Sequence, residues 1–145
     1  MATPFLVKLL TPEREVLSSE AIHLYARGSL GYLGVLAHHA PLLTSLEPGL
    51  MSIRLPDQSQ RHFVVTGGFL EVSNNKATVL ADSAEPASEI DAAAAEAALA
   101  EARNRLAMPH LGAHGEPEIE RARWEAELEQ AAARLAVWKE YGSGR

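Results

Sequence analysis

Up to about residue 82, short apolar runs come at close intervals: FLVKLL (5–10), AIHLYA (21–26), LMSIRL (50–55), RHFVVT (61–66), FLEV (69–72) and KATVLA (76–81). Each is of strand length, and turn formers stand between them at Thr11-Pro12-Glu13, Pro48-Gly49, Pro56-Asp57 and Asn74-Asn75. The pattern predicts an antiparallel sandwich or barrel. Within it, LMSIRL-PDQSQ-RHFVVT and FLEV-SNN-KATVLA each read as a hairpin.

The period changes at Ser88. SEIDAAAAEAALAEARNRLA (88–107) is built from strong helix formers, with Ser88 placed to cap it and Asp91 three residues on, a variant of the capping box. MPHLGAHGEP (108–117) stops that helix with its prolines and glycines. A second helix is expected from Pro117, a favoured first-turn residue, among Glu116, Glu118 and Glu120, to about Tyr141. Trp124, Leu128, Ala131, Leu135 and Trp138 form its apolar stripe at 4-3-4-3 spacing. Its other faces carry Arg121, Arg123, Glu125, Glu127 and Glu129, with Arg121–Glu125 and Arg123–Glu127 at pairing distance in sequence. The first helix is mostly alanine, and methyl groups bury little area, so the hairpin is expected to sit shallowly on its support. Two readings of that helical pair stay open: a unit that detaches and re-docks, or a fixed one.

Composition narrows the function. A chain of 145 residues, 47% hydrophobic, is long enough for one domain and an appendage and apolar enough for a core. Its net charge of −6 argues against nucleic acid as a main partner. There is no cysteine, hence neither disulfide nor thiolate chemistry. The N-terminus lacks the apolar stretch of a secretory signal, and no run approaches the ~18 apolar residues of a membrane helix. Membrane association is therefore expected only through a partner.

Candidate chemistry is sparse. His38 and His39 are adjacent, and in extended chain neighbouring side chains point to opposite faces, which opposes a shared metal. His110 and His114 have helical i,i+4 spacing, but Pro109 and Gly112 disfavour a helix there. Gly28, Gly31 and Gly34 are spaced G-x-x-G-x-x-G rather than as a dinucleotide loop, and read as turns or bulges, as does Gly67-Gly68. Glu47, Asp57, Glu71 and Asp82 have no nucleophile beside them, and no G-x-S-x-G occurs. No independent catalytic site, metal site or cofactor is expected.

Two ordered blocks do resemble a known family, the epsilon subunits of F-type ATP synthases (delta in mitochondria). GSLGYLGVLAHHAPLLTSLEPG (28–49) is similar to its signature G-x-x-G-x-L-G-x-x-x-x-H-A-P-L-L-T-x-L-x-P-G. VVTGGFLEVSNNKATVLADSAEPASEID (64–91) resembles its second block, GG-(I/F)-L-E-V, then TVLAD-x-A, then (I/L)-D. The resemblance implies a β + α fold: an N-terminal antiparallel β-sandwich of about two five-stranded sheets, more strands than the runs above, followed by an antiparallel two-helix hairpin. The division expected is sandwich 1–84, link 85–87 and hairpin 88–145.

The function implied is that of a non-catalytic central-stalk rotor subunit. Its sandwich binds the gamma subunit and sits on the ring of c subunits, coupling ion flow to ATP synthesis. Its hairpin is capable of inhibiting ATP hydrolysis when extended into the alpha/beta catalytic head. The implied location is peripheral, on the cytoplasmic side of a bacterial inner membrane. The resemblance places Leu30, Tyr32 and His39 on the side of the c ring and gamma, with His38 where the family often has glycine. Leu30 and Tyr32 replace the acidic residues usual in that loop, which leaves two readings: a more apolar ring contact, or packing under the neighbouring strand. For Arg121, Arg123, Arg134 and Lys139 two readings stay open: a contact for acidic surfaces of the beta subunits, or a solvated face diluted by the intervening glutamates.

Some members bind regulatory ATP through (I/L)-D-x-x-R-A and an upstream acid. Here Glu85, Ile90 and Asp91 match, but Ala94 stands at the arginine position. A missing guanidinium removes roughly 1.5–3 kcal/mol, about ten- to a hundredfold in affinity, so ATP binding is expected to be weak or absent. The link MPHLGAHGEP is longer and richer in Gly and Pro than is usual, a pivot or an interruption of an extended helix. The alternative function is a free-standing β-sandwich module for a small ligand, with the helices as a lid; a hydrolase comes last, having no site.

Overall fold

The computed structural model describes residues 2–108 and 117–142. His110, His114 and most of MPHLGAHGEP lie outside the described residues. The strands are β1 (Phe5–Leu10), β2 (Glu15–Ala21), β3 (His23–Gly28), β4 (Gly31–Val35), β5 (Leu42–Leu46), β6 (Gly49–Arg54), β7 (Gln60–Val65), β8 (Gly68–Ser73), β9 (Lys76–Ala81) and β10 (Ala84–Pro86). They make two sheets, β4-β3-β6-β7-β10 and β5-β8-β9-β1-β2, which join edge to edge at a single pair, Gly28 opposite Leu46. Neighbours are antiparallel except β1 and β9, which run parallel.

Alternation along the strands builds the core. Phe5, Val7 and Leu9 point inward from β1, Leu70 and Val72 from β8, and Ala77 and Val79 from β9. Leu24, Met51, Ile53 and Phe63 meet them from the other sheet. No polar or charged residue among those described is fully buried, so apolar area removed from water holds the sandwich together. The hairpins expected at 50–66 and 69–81 form as β6–β7 and β8–β9. AIHLYA, expected as one strand, is cut at Ile22, where the chain passes from β2 in one sheet to β3 in the other. The Ile22 amide donates to the Arg54 carbonyl at 2.8 Å.

One glycine is required by geometry. Gly68 has φ of 120°, and a Cβ there would collide with the Leu80 carbonyl and lie 2.8 Å from the Ala81 Cα on β9.

The helices are α1 (Ala92–Leu106) and α2 (Pro117–Val137), preceded by a 3₁₀ turn at Ala87–Glu89 and followed by a π turn at Trp138–Gly142. Two expectations are corrected here. Glu85 and Pro86, placed in the link, are paired with Val64 and Phe63 as part of β10, because that short strand closes the sheet's edge. Asp91, not Ser88, caps α1, accepting the Ala94 amide at 3.0 Å. Ala87 and Ile90 are drawn into a buried cluster with Val64 and Val137, which keeps Ile90 extended and delays the helix. The second helix stays helical to Gly142, close to its expected end near Tyr141, its last five residues widening into the π turn.

The apolar stripe behaves as its spacing predicts: Ala131 and Leu135 are buried, and Trp124, Leu128 and Trp138 half-buried. Neither expected i,i+4 pair is among the ion pairs of the described residues. The Arg123 guanidinium instead lies 5.1 Å from the Trp124 ring centroid, with Arg105 of α1 at 5.3 Å. The alanines of α1 do not face the sheet; α1 packs on α2 through buried Ala95 and Ala102, and α2 meets the sandwich.

Substituting Gly68→Ala is expected to cost about 2 kcal/mol or more, combining positive-φ strain with a main-chain collision, measured as a lowered urea midpoint.

Candidate functional site

The C-terminal end of α2 and the π turn cover the outer face of the first sheet. Along β7, His62 and Val64 point outward and Phe63 and Val65 inward, so HFVV is buried or half-buried throughout although it sits in an antiparallel sheet. Val64, with Leu50 of β6, takes Ala133, Val137, Trp138 and Tyr141 from above and Ala87 and Ile90 from the side. Two charge contacts flank this cluster. Arg134 Nε donates to Glu85 Oε1 at 2.6 Å, tying α2 to β10, and Arg27 of β3 lies 4.0 Å from Glu129.

At the other flank the Tyr141 ring stacks on His62, centroids 3.8 Å apart, while His62 Nδ1 lies 2.7 Å from Ser52 Oγ. Burial pushes the His62 imidazole below its ordinary value, and the Glu140 carboxylate pulls it up by less. Burial also raises the Tyr141 phenol, Glu140 adding to the rise.

Between the hairpin and β3–β4 runs an open cleft in two lobes of about 390 and 490 Å³. Tyr32 and Tyr141 line both lobes, and Tyr32 stacks on Tyr25 at 4.8 Å and 3°. Leu30 and Tyr32, expected as a pair, thus part company. Leu30 stands fully exposed on the two-residue turn Ser29-Leu30 between Gly28 and Gly31, the latter at φ of 122°. Tyr32 turns back into the cleft beside α2.

His38 and His39 sit in the turn before β5. His38 has φ of 61° and its amide donates to Asn75 Oδ1 at 2.8 Å; His39 Nδ1 lies 2.7 Å from the Ala40 carbonyl oxygen. Glu71 lies on β8, and Glu47, Asp57 and Asp82 lie in three different connections between strands. Among the described residues no three His, Asp or Glu side chains converge as metal ligands. Of the residues matching a nucleotide motif, Glu85 is bonded to Arg134, Asp91 caps α1 and Ile90 is buried under Val137. Ala94 is exposed on α1. Of the basic residues on the second helix, Arg121, Arg123 and Lys139 are exposed, whereas Arg134 is engaged within the chain.

The second sheet presents a different surface. Leu43, Phe69 and Leu80 point outward at 71%, 55% and 50% exposure, and register sets Phe69 beside Leu80 and Leu80 beside Leu10. Exposed leucine and phenylalanine thus gather on one sheet face. Strict alternation made it legible: if Leu70 and Val79 are core, Phe69 and Leu80 must face away. Reading by motif passed over it.

Comparison with known proteins accounts for both halves. Residues 4–87 match the family described as ATP synthase delta/epsilon chain, beta-sandwich domain, and residues 88–139 match its long alpha-helix domain. The ATP synthase epsilon chain of Pelotomaculum thermopropionicum is 52% identical over 101 residues, 70% of this chain and 75% of that one. That of Geotalea uraniireducens is 43% identical over 138 residues, 94% and 95% of the two chains. Among solved structures, a chain in the OSCP/F1/c-ring assembly of the Euglena gracilis mitochondrial ATP synthase superposes with a TM-score of 0.79 at 25% identity. It covers 92% of this chain and 80% of its own. Domain order, the sandwich with its appended hairpin and these likenesses agree: the chain belongs to the delta/epsilon family of ATP synthase, as an epsilon-type, non-catalytic subunit.

Proposed function

We propose that the chain is the central-stalk rotor subunit that links a ring of c subunits to the gamma subunit, so that ion-driven rotation reaches the alpha/beta head where ATP is made. The observation that carries this reading is the apolar outer face of the second sheet at Leu43, Phe69 and Leu80, which the docked hairpin leaves open, with the fully exposed Leu30 standing apart from it on the β3–β4 turn. We assign the broad face to gamma and the Leu30 tip to the c ring.

No helix among the described residues is long and apolar enough to cross a membrane. The chain then reaches the membrane through the complex, peripherally, on the cytoplasmic side of the inner membrane in bacteria such as those of its relatives. The hairpin adds regulation. Docked, it keeps Arg134 on Glu85 and leaves the head free to turn over. Released, it would carry Arg121, Arg123, Arg134 and Lys139 toward acidic surfaces of the beta subunits and oppose ATP hydrolysis. Regulatory ATP has little to bind, since Ala94 offers no guanidinium and Glu85 and Asp91 already have partners.

Mixed with gamma, the chain should co-purify stoichiometrically; recovery of small molecules alone would defeat the stalk reading. Phe69→Glu should weaken gamma capture by about tenfold or more, as at a truncated interface anchor. Leu30→Asp should leave gamma capture unchanged and lower ATP-driven ion pumping in reconstituted vesicles. Removing residues 88–145 should raise ATPase activity of the assembled complex. Glu85→Ala should lower it by weakening the docked state, through a half-exposed tie worth about 1 kcal/mol. Calorimetric titration of the isolated chain with ATP should show no micromolar binding.

A further inference from the structure

Several of the contacts that hold the hairpin down lie in the turn Trp138–Gly142. Gly142 is seated against the 3₁₀ turn so closely that a Cβ would meet the Ala87 carbonyl oxygen at 2.8 Å and run into the Trp138 ring. Trp138 and Tyr141 pack into the Val64 cluster, and Tyr141 closes over His62. His62 is thus a titratable group of the sheet that hairpin closure covers, ring on ring.

We propose that the Trp138–Gly142 turn closing on His62 is a proton-operated latch, which holds the helical hairpin on the sandwich while the imidazole is neutral and lets it go when a solvent proton is taken up.

The surroundings of His62 set the sign. From β6 come Ser52, bonded to Nδ1, and Arg54, an outward-facing cation on the same sheet face. From β3 and β4 come His23, Tyr25 and Tyr32, and from β7 itself Gln60, while Arg61 leans to the Phe63 ring on the other side. The π turn brings Tyr141 and Glu140, with Lys139 exposed beside them. Among the described residues the Glu140 carboxylate and the face of the Tyr141 ring favour the charged imidazole, while desolvation, to which the overlying turn contributes, favours the neutral one and outweighs Glu140. Opening lifts the part of that burial which the turn supplies and returns the imidazole toward its ordinary value of about 6.5. The open form therefore binds more protons. Closure is fully favoured above the ordinary imidazole range and is lost progressively as pH falls through it.

This claim concerns the chain alone and stands apart from the stalk assignment. Solution NMR on the full chain tests it, with the Trp138 indole N–H reporting docking and the His62 ring reporting protonation. Gly142→Val, which wedges the turn off Ala87, should show the released Trp138 signal at every pH while the sandwich core resonances stay native. In the unaltered chain the Trp138 signal should move toward that position between about pH 7.5 and about pH 5.5, in step with His62, the released-to-docked ratio rising up to tenfold per pH unit. His62→Gln keeps a partner for Ser52 but takes up no proton, and should stay docked throughout. The latch is overturned if Gly142→Val remains docked, if Trp138 ignores pH in the unaltered chain, or if His62→Gln responds to pH as the unaltered chain does.

Discussion

What lies over Val64 determines how the second half of the chain is arranged. A valine on the outer face of an antiparallel sheet must be covered or left wet, and here the cover is the end of α2. That one burial keeps Ile90 extended, moves the cap of α1 to Asp91, brings Glu85 under Arg134 and lays Tyr141 on His62. The alanine-rich first helix contributes almost nothing to this directly. It serves as a strut behind α2, through two fully buried methyl groups, Ala95 and Ala102.

Much of the sandwich was legible because alternation and turn chemistry agree along β6–β9. The strands that escaped each had a physical reason. Glu15–Ala21 is half polar because one of its two faces is turned to water, and Ala84–Pro86 is too short to show a period. Gly31–Val35 and Leu42–Leu46 lie inside a glycine- and proline-marked segment whose composition speaks of turns. Ile22 was misread because a chain crossing between sheets stays apolar while changing direction.

The surfaces were less legible than the fold. Leu30 was singled out by departure from a family pattern, and its full exposure suits a contact, but Tyr32 beside it is half spent on Tyr25 and the cleft. Phe69 and Leu80 carried the plainer signal, a parity argument that needs no family at all. His62 offered none: an outward histidine in a strand looks like a solvated residue until the far end of the chain, some eighty positions on, is known to fold over it.

The connection from β10 to α1 is only Ala87–Asp91, and it makes the sheet an internal competitor. Tethered so closely, the face around Leu50 and Val64 confronts the end of α2 at an effective concentration of about millimolar. Any external acceptor for Val137 and Tyr141 must outbid that standing local ligand, so the affinity threshold for capturing the hairpin is written into this chain and not into its captor. Lengthening or stiffening those few residues would shift the threshold without altering one residue of either surface.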